Sequence, residues 1–187
     1  MAHDNSLDHM PNLRPSAYLL CGPSLSGKST VAAKLAKALN AAIVCSDAIN
    51  TDRGLPFGAE GLPEAVWAET LSIQLAKMRS VAELGQSVIA DDTLCYRWLR
   101  DRHRQAAQDA GLSPILLLLA PTIETLWARH RQIALSARRP VLSETRFEYH
   151  LACFEWPDED EAAVNVTSAQ QLQAFIEAQG RRSLNAV

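Results

Sequence analysis

A chain of 187 residues, 48% hydrophobic and 21% charged, has the length and composition of one globular domain. Wholesale disorder and two full domains are both excluded. The net charge of −3 argues against a dedicated duplex nucleic-acid binder, which needs a basic excess for phosphate contacts. Of the 18 basic residues, 14 are Arg and 4 are Lys, and nine of the Arg fall between positions 97 and 146. Arg exceeds Lys where bidentate contact with phosphate or carboxylate is wanted, although GC-rich codon usage produces the same excess.

Residues 1–15 lack the apolar centre of a signal peptide and are expected to form a disordered leader. Ala17–Cys21 is a short apolar run ending at glycine, which predicts a buried strand. Lys28–Asn40 has Val31, Leu35, Ala38 and Leu39 on one helical face. Ala42–Ser46 reads as a second strand, ended by Asp47 and followed by a loop rich in Gly and Pro. Pro63–Leu84 predicts a long helix with Gly85 as its stop. Ser87–Ala90 is a third strand closed by Asp91 and Asp92, and Tyr96–Ala110 is a helix ended by Gly111. Pro114–Ala120 is the most apolar strand and so belongs inside the sheet. Thr122–Ile133 and Ser143–Glu155 read as helices around an Arg-rich segment broken by Pro140. An acidic turn, Pro157–Glu161, leads to a fifth strand, Ala162–Thr167, and a last helix, Ser168–Gln179, with residues 180–187 as a flexible tail. Strands without polar alternation, alternating with helices, predict a parallel sheet covered on both faces, a three-layer α/β/α fold.

The four cysteines form no Cys-x-x-Cys pair and no zinc spacing, so they are expected to be reduced thiols in a cytoplasmic protein. No apolar run approaches the ~18 residues of a membrane span.

Gly22-Pro23-Ser24-Leu25-Ser26-Gly27-Lys28-Ser29-Thr30 matches the phosphate-loop pattern G-x-x-x-x-G-K-[ST] in full. It lies between an apolar strand and an amphipathic helix, as the chemistry requires. Curled backbone N–H groups and the positive helix N-terminus then face one anion. Lys28 would reach the β- and γ-phosphates of ATP, and the Ser29 hydroxyl would ligate Mg2+. Leu25 is unusual in a stretch that favours small or polar residues. Asp47 follows the second strand, at the sheet edge where ligands bind. A carboxylate there can take the proton of an attacking hydroxyl during phosphoryl transfer.

Ser46-Asp47, the Gly85–Thr93 stretch around strand three and Phe154–Glu161 before strand five resemble small P-loop kinases related to polynucleotide 5′-hydroxyl kinase. That group, with its AAA-type ATP-binding domain, also holds gluconate kinase, chloramphenicol phosphotransferase and the zeta toxins. The resemblance covers about residues 16–179 and implies a five-stranded sheet of order 2-3-1-4-5 with a helical lid at about 129–142. It implies that Asp47 is the general base. Asn50 stands where the family often has an Arg that binds the acceptor phosphate, which argues against a polynucleotide end; Arg53 would substitute only with a shifted loop. Ser87–Asp92 resembles a Walker B strand, with Asp91 the better metal residue and Asp92 an alternative that otherwise caps the next segment. Arg97, Arg100 and Arg104 share one helical face; the resemblance puts Arg97 or Arg100 near the acceptor, while the bland alternative is a solvated face. By the resemblance Arg129 would stack on adenine, and Arg131 or Arg138 would reach the triphosphate when the lid closes. His103, His130 and His150 have no partner at a meaningful spacing and read as surface or satisfied histidines. Trp67, Trp98, Trp127 and Trp156 read as packing residues, with Trp67 also a candidate for the acceptor pocket.

The expected activity is ATP-dependent, Mg2+-requiring phosphorylation of a hydroxyl on a small-molecule or nucleotide-like acceptor, with Lys28, Asp47, Arg131 and Arg138 catalytic. Two alternatives stand beside it: a zeta-type nucleotide-sugar kinase, and a regulatory ATP-binding module without an acceptor. An antitoxin partner would accompany the first of these, and no segment indicates one.

Overall fold

The computed structural model describes residues 14–59, 62–136 and 140–184. Five strands, β1 (Ser16–Cys21), β2 (Ala42–Cys45), β3 (Val88–Asp91), β4 (Ser113–Leu118) and β5 (Val164–Asn165), form one parallel sheet in the order β2-β3-β1-β4-β5. This is the expected architecture and strand order.

β1 runs through the centre, and its alternation builds two cores. Ala17, Leu19 and Cys21 face one way, with Val88, Ala90 and Leu116, toward α3 (Glu64–Glu83) and α4 (Arg97–Asp109). Tyr18 and Leu20 face the other way, with Ile89 and Leu117, toward α1 (Lys28–Leu39) and α7 (Ala169–Leu184). Because both faces are covered, the strands carry apolar residues on both sides, which is why they read as runs. No described helix is long and apolar enough to cross a membrane.

The elements depart from expectation in a few places. Ser46–Asp52 is a helix, α2, directly after β2, where a loop was expected. Asp47 favours its first turn electrostatically, and the Thr51 hydroxyl donates to the Asp47 carbonyl one turn back, 2.9 Å away. α2 buries Ile49 and Asn50 and ends before Gly54, which takes a left-handed φ of 69°. β5 is only two residues long, because a single 3-10 turn at Glu159–Glu161 with a full capping box comes first and Ala162 then adopts φ 48°. α5 (Ile123–Ser136) runs past its expected end, while α6 (Glu144–Ala152) stops early. The Phe154–Trp156 segment is non-helical, and the Glu155 N–H donates to the Cys95 carbonyl. α7 continues to Leu184, so most of the expected tail is helical.

Candidate active site

The phosphate loop hangs between β1 and α1. At Gly22 a side chain is impossible: an added Cβ would lie 2.4 Å from the Leu119 carbonyl oxygen and 2.8 Å from the Ser26 hydroxyl. The Gly22 N–H donates to the Thr93 carbonyl, fixing the loop to the end of β3. Leu25 and Gly27 both have positive φ, 67° and 106°, the kind of backbone reversal that makes anion-binding concavities. For Leu25 this is strain. Its carbonyl is held by the Arg129 guanidinium at 2.8 Å, and the Ser26 carbonyl by the same nitrogen at 3.1 Å. α1 starts at Lys28 with neither a side-chain cap nor an acidic residue in its first turn, which leaves its N-terminal N–H groups for an anion.

Lys28 is buried, and its ammonium donates to the Gly22 and Pro23 carbonyls, both at 2.9 Å. Burial lowers its pKa, opposed by the Asp91 and Asp92 carboxylates. Asp91 ends β3, in register with Leu20 of β1 and Cys45 of β2. Burial raises the Asp91 pKa, while a hydrogen bond from Ser29 and the charge of Lys28 work against that rise. Asp92 instead accepts the Thr93 N–H at 2.6 Å and caps the turn. Ser29 is thus the hydroxyl that favours the Asp91 carboxylate, while Asp92 serves the turn. Among the described residues no three His, Cys, Asp or Glu side chains cluster to hold a metal. Two hard oxygen donors, with phosphate and water for the rest, fit Mg2+, which keeps several waters and binds few protein groups. Thr30 is exposed on the first turn of α1.

Asp47 lies exposed in the first turn of α2, beyond the end of β2. The 2-3-1 order places it across Asp91 from the loop, two strand spacings or about 10 Å away. Lys28 senses its charge. The acceptor side next to it is closed on itself. Asn50 is buried and accepts the Thr70 hydroxyl at 2.6 Å. Arg53 donates to the Val66 carbonyl, the Thr70 hydroxyl and the Glu69 carboxylate.

The remaining arginines separate by location. Arg129 grips the loop backbone through the Leu25 and Ser26 carbonyls. Arg129 and Arg131 lie on opposite flanks of the buried Leu126–His130 stripe of α5, about 200° apart, so Arg131 does not share the loop-facing side. Arg138 and Arg139 lie outside the described residues. Arg100 is neither exposed nor on the acceptor side. It is 1% exposed, makes a bidentate pair with Glu161 at 2.6 and 2.7 Å, and donates to the Leu94 and Glu155 carbonyls. Burial alone would lower its pKa, but Glu161 outweighs burial and the pKa is raised. Arg97 pairs with Asp160 and Asp101, and Arg104 with Asp101. The basic face of α4 and the acidic turn thus belong together.

The histidines also sort themselves. His103 is buried between the Leu99 carbonyl and Gln74. His130 stacks on Phe147 with centroids 4.7 Å apart, beside Trp127, and reaches the Leu142 carbonyl, so it joins α5 to α6. His150 is satisfied in a way its spacing does not suggest: its Nε2 accepts the Ser24 N–H of the phosphate loop at 3.0 Å. The two residues are 126 positions apart, and no local pattern announces the contact. Of the tryptophans, Trp67, Trp98 and Trp156 are exposed, although Trp98 stacks on Tyr96 and Trp156 packs against Phe154, while Trp127 packs edge-on against Phe147.

A family described as an AAA domain matches residues 18–157. A curated relative, tRNA dimethylallyltransferase 1 of Trichlorobacter lovleyi, is 40% identical over 47 residues; the match spans 25% of this chain and 15% of that protein's length. Three solved structures share the fold. Kti12 of Chaetomium thermophilum in complex with ADP-AlF3 is 14% identical, with a TM-score of 0.71 over 88% of this chain and 97% of that one. The gluconokinase of Sinorhizobium meliloti is 20% identical, with a TM-score of 0.61 over 92% and 91%. The APS kinase of Mycobacterium tuberculosis in complex with AMPPNP and APS is 18% identical, with a TM-score of 0.65 over 88% and 96%.

Proposed function

The chain belongs to the AAA domain family, and from that premise we propose that it is an ATP-dependent kinase acting on a hydroxyl of a small-molecule or nucleotide-like acceptor. The observation that carries this reading is the alignment of three strand ends. The phosphate loop follows β1, Asp91 ends β3, and Asp47 follows β2, side by side along one edge of the sheet. A terminal phosphate at Lys28 and a hydroxyl at Asp47 can then meet in front of Asp91.

Lys28 and the loop N–H groups bind and orient the triphosphate. Ser29 and Asp91 would hold Mg2+, which would supply charge neutralisation for the triphosphate. Asp47 takes the acceptor proton as the hydroxyl attacks. Arg131 and Arg138 are proposed to approach the phosphates only in a closed lid. Arg53, occupied by Glu69 and Thr70, is not free to hold an acceptor through its own phosphate. This favours a neutral hydroxyl compound. Four free cysteines suit a cytoplasmic setting.

The test is transfer of label from γ-labelled ATP to a panel of sugars, nucleosides and nucleotide-sugars, with Mg2+ and with chelator. Labelled product that requires Mg2+ is expected. Tight ATP binding with no transfer to any acceptor would favour a regulatory module, and a nucleotide-sugar product would favour the zeta-type reading.

A further inference from the structure

The contact between His150 and Ser24 has a chemical consequence. A ring nitrogen that accepts an N–H carries a lone pair, so the imidazole is neutral with its proton on Nδ1. Its surroundings hold it so. Burial, then Lys28 from α1 and Arg146 from its own helix, push its pKa down to about 4, with Asp92 after β3 opposing them. Phe154 covers it edge-on at 6.1 Å.

The contact lies at the terminal-phosphate end of the loop. The N-terminus of α1 receives the inner phosphates, whereas the P-loop Lys reaches the β- and γ-phosphates. In this chain the Lys28 ammonium rests on the carbonyls of Gly22 and Pro23, immediately before Ser24. His150 supplies the Ser24 N–H with its acceptor.

We propose that His150 is a contact for the terminal phosphate of the nucleotide, exchanging its hydrogen bond from the Ser24 amide to that phosphate when the loop fills. The exchange balances simply. His150 takes one proton from solvent at Nε2 and becomes a donor, and the freed Ser24 N–H donates to the same phosphate. The incoming negative charge stabilises the imidazolium against Lys28 and Arg146. α6 follows the expected lid, so filling the loop also changes what holds α6 in place. The inference rests on the proposed ATP reading.

Proton uptake separates the two. Calorimetric titration of the full chain with MgATP, acceptor withheld, in buffers of different ionisation enthalpy counts protons bound. His150→Gln keeps an acceptor for Ser24 but cannot titrate. Near pH 6 the wild type is expected to take up close to one proton more than this variant. Its affinity relative to the variant should fall, by up to about tenfold per pH unit, as pH rises through the loaded pKa. MgADP, lacking the terminal phosphate, should show little of this difference. As a second readout, the His150 ring resonance should titrate near 4 in the free protein and higher with MgATP. Equal proton uptake in both proteins, or an unchanged His150 midpoint with MgATP bound, would overturn the inference while leaving ATP binding intact. Absence of any MgATP binding would overturn the kinase reading itself.

Discussion

Two clusters of buried charge lie on this sheet, and they are built differently. In one, Arg100 and Glu161 close on each other with two short hydrogen bonds, and carbonyls take most of what remains. In the other, Lys28 rests on backbone carbonyls, Asp91 on the hydroxyl of Ser29, and His150 on a loop amide. Each of those partners is neutral, and a neutral partner holds a charge less strongly than an opposite charge does. Charge that is mutually neutralised holds the fold, and charge satisfied by neutral stand-ins is available to a ligand.

The contrast can be broken from either side. Arg100→Ala leaves the Glu161 carboxylate buried without its partner and should cost about 3–5 kcal/mol in denaturant unfolding. MgATP affinity measured below the unfolding transition should change only a few-fold. Lys28→Ala should do the reverse. Transfer falls by about 10²–10³-fold while the unfolding midpoint holds or rises, because a buried cation has been removed. Loss of stability in Lys28→Ala comparable to that in Arg100→Ala would erase the distinction.

Acid sharpens it further. Burial raises the Glu161 pKa, but the pair with Arg100 outweighs burial and the net shift is downward from 4.5. A carboxyl with a depressed folded pKa contributes stability that is present above its unfolded value and lost as pH falls through the folded one. Urea unfolding should therefore show the wild type losing stability below about pH 4.5 more steeply than an Arg100→Met, Glu161→Met double variant. At the small end, Ser143 caps α6 through the Arg146 N–H. Ser143→Ala should lower stability by about 1 kcal/mol. If α6 also steadies His150, MgATP affinity should weaken slightly in parallel.

What the sequence disclosed divides along the same line. The phosphate loop, Asp47, Asp91 and the strand order were legible because each depends on neighbours in the chain. Apolar runs reveal buried strands, and nine consecutive residues reveal the loop. α2 was hidden because a seven-residue helix carries little periodicity and adjoins Gly- and Pro-rich chain. The burial of Arg100 was hidden because Glu161 is 61 residues away. Three arginines on one face of α4 look like a solvated stripe until the acidic turn folds over them. His150 had even less signal, since the amide it meets belongs to the loop at the other end of the domain. Arg129 stood out in the basic stretch before Pro140, but its loop-bracing contact depends on Leu25 adopting a left-handed turn that its side chain does not announce.

The central claim is that Asp47, across Asp91 from the loop, activates the acceptor without helping to hold ATP. Phosphoryl transfer and MgATP affinity measured side by side for wild type and Asp47→Asn test it most directly. The account predicts a loss of transfer of about 10²–10⁴-fold with affinity unchanged within a few-fold. Normal transfer by Asp47→Asn would contradict it.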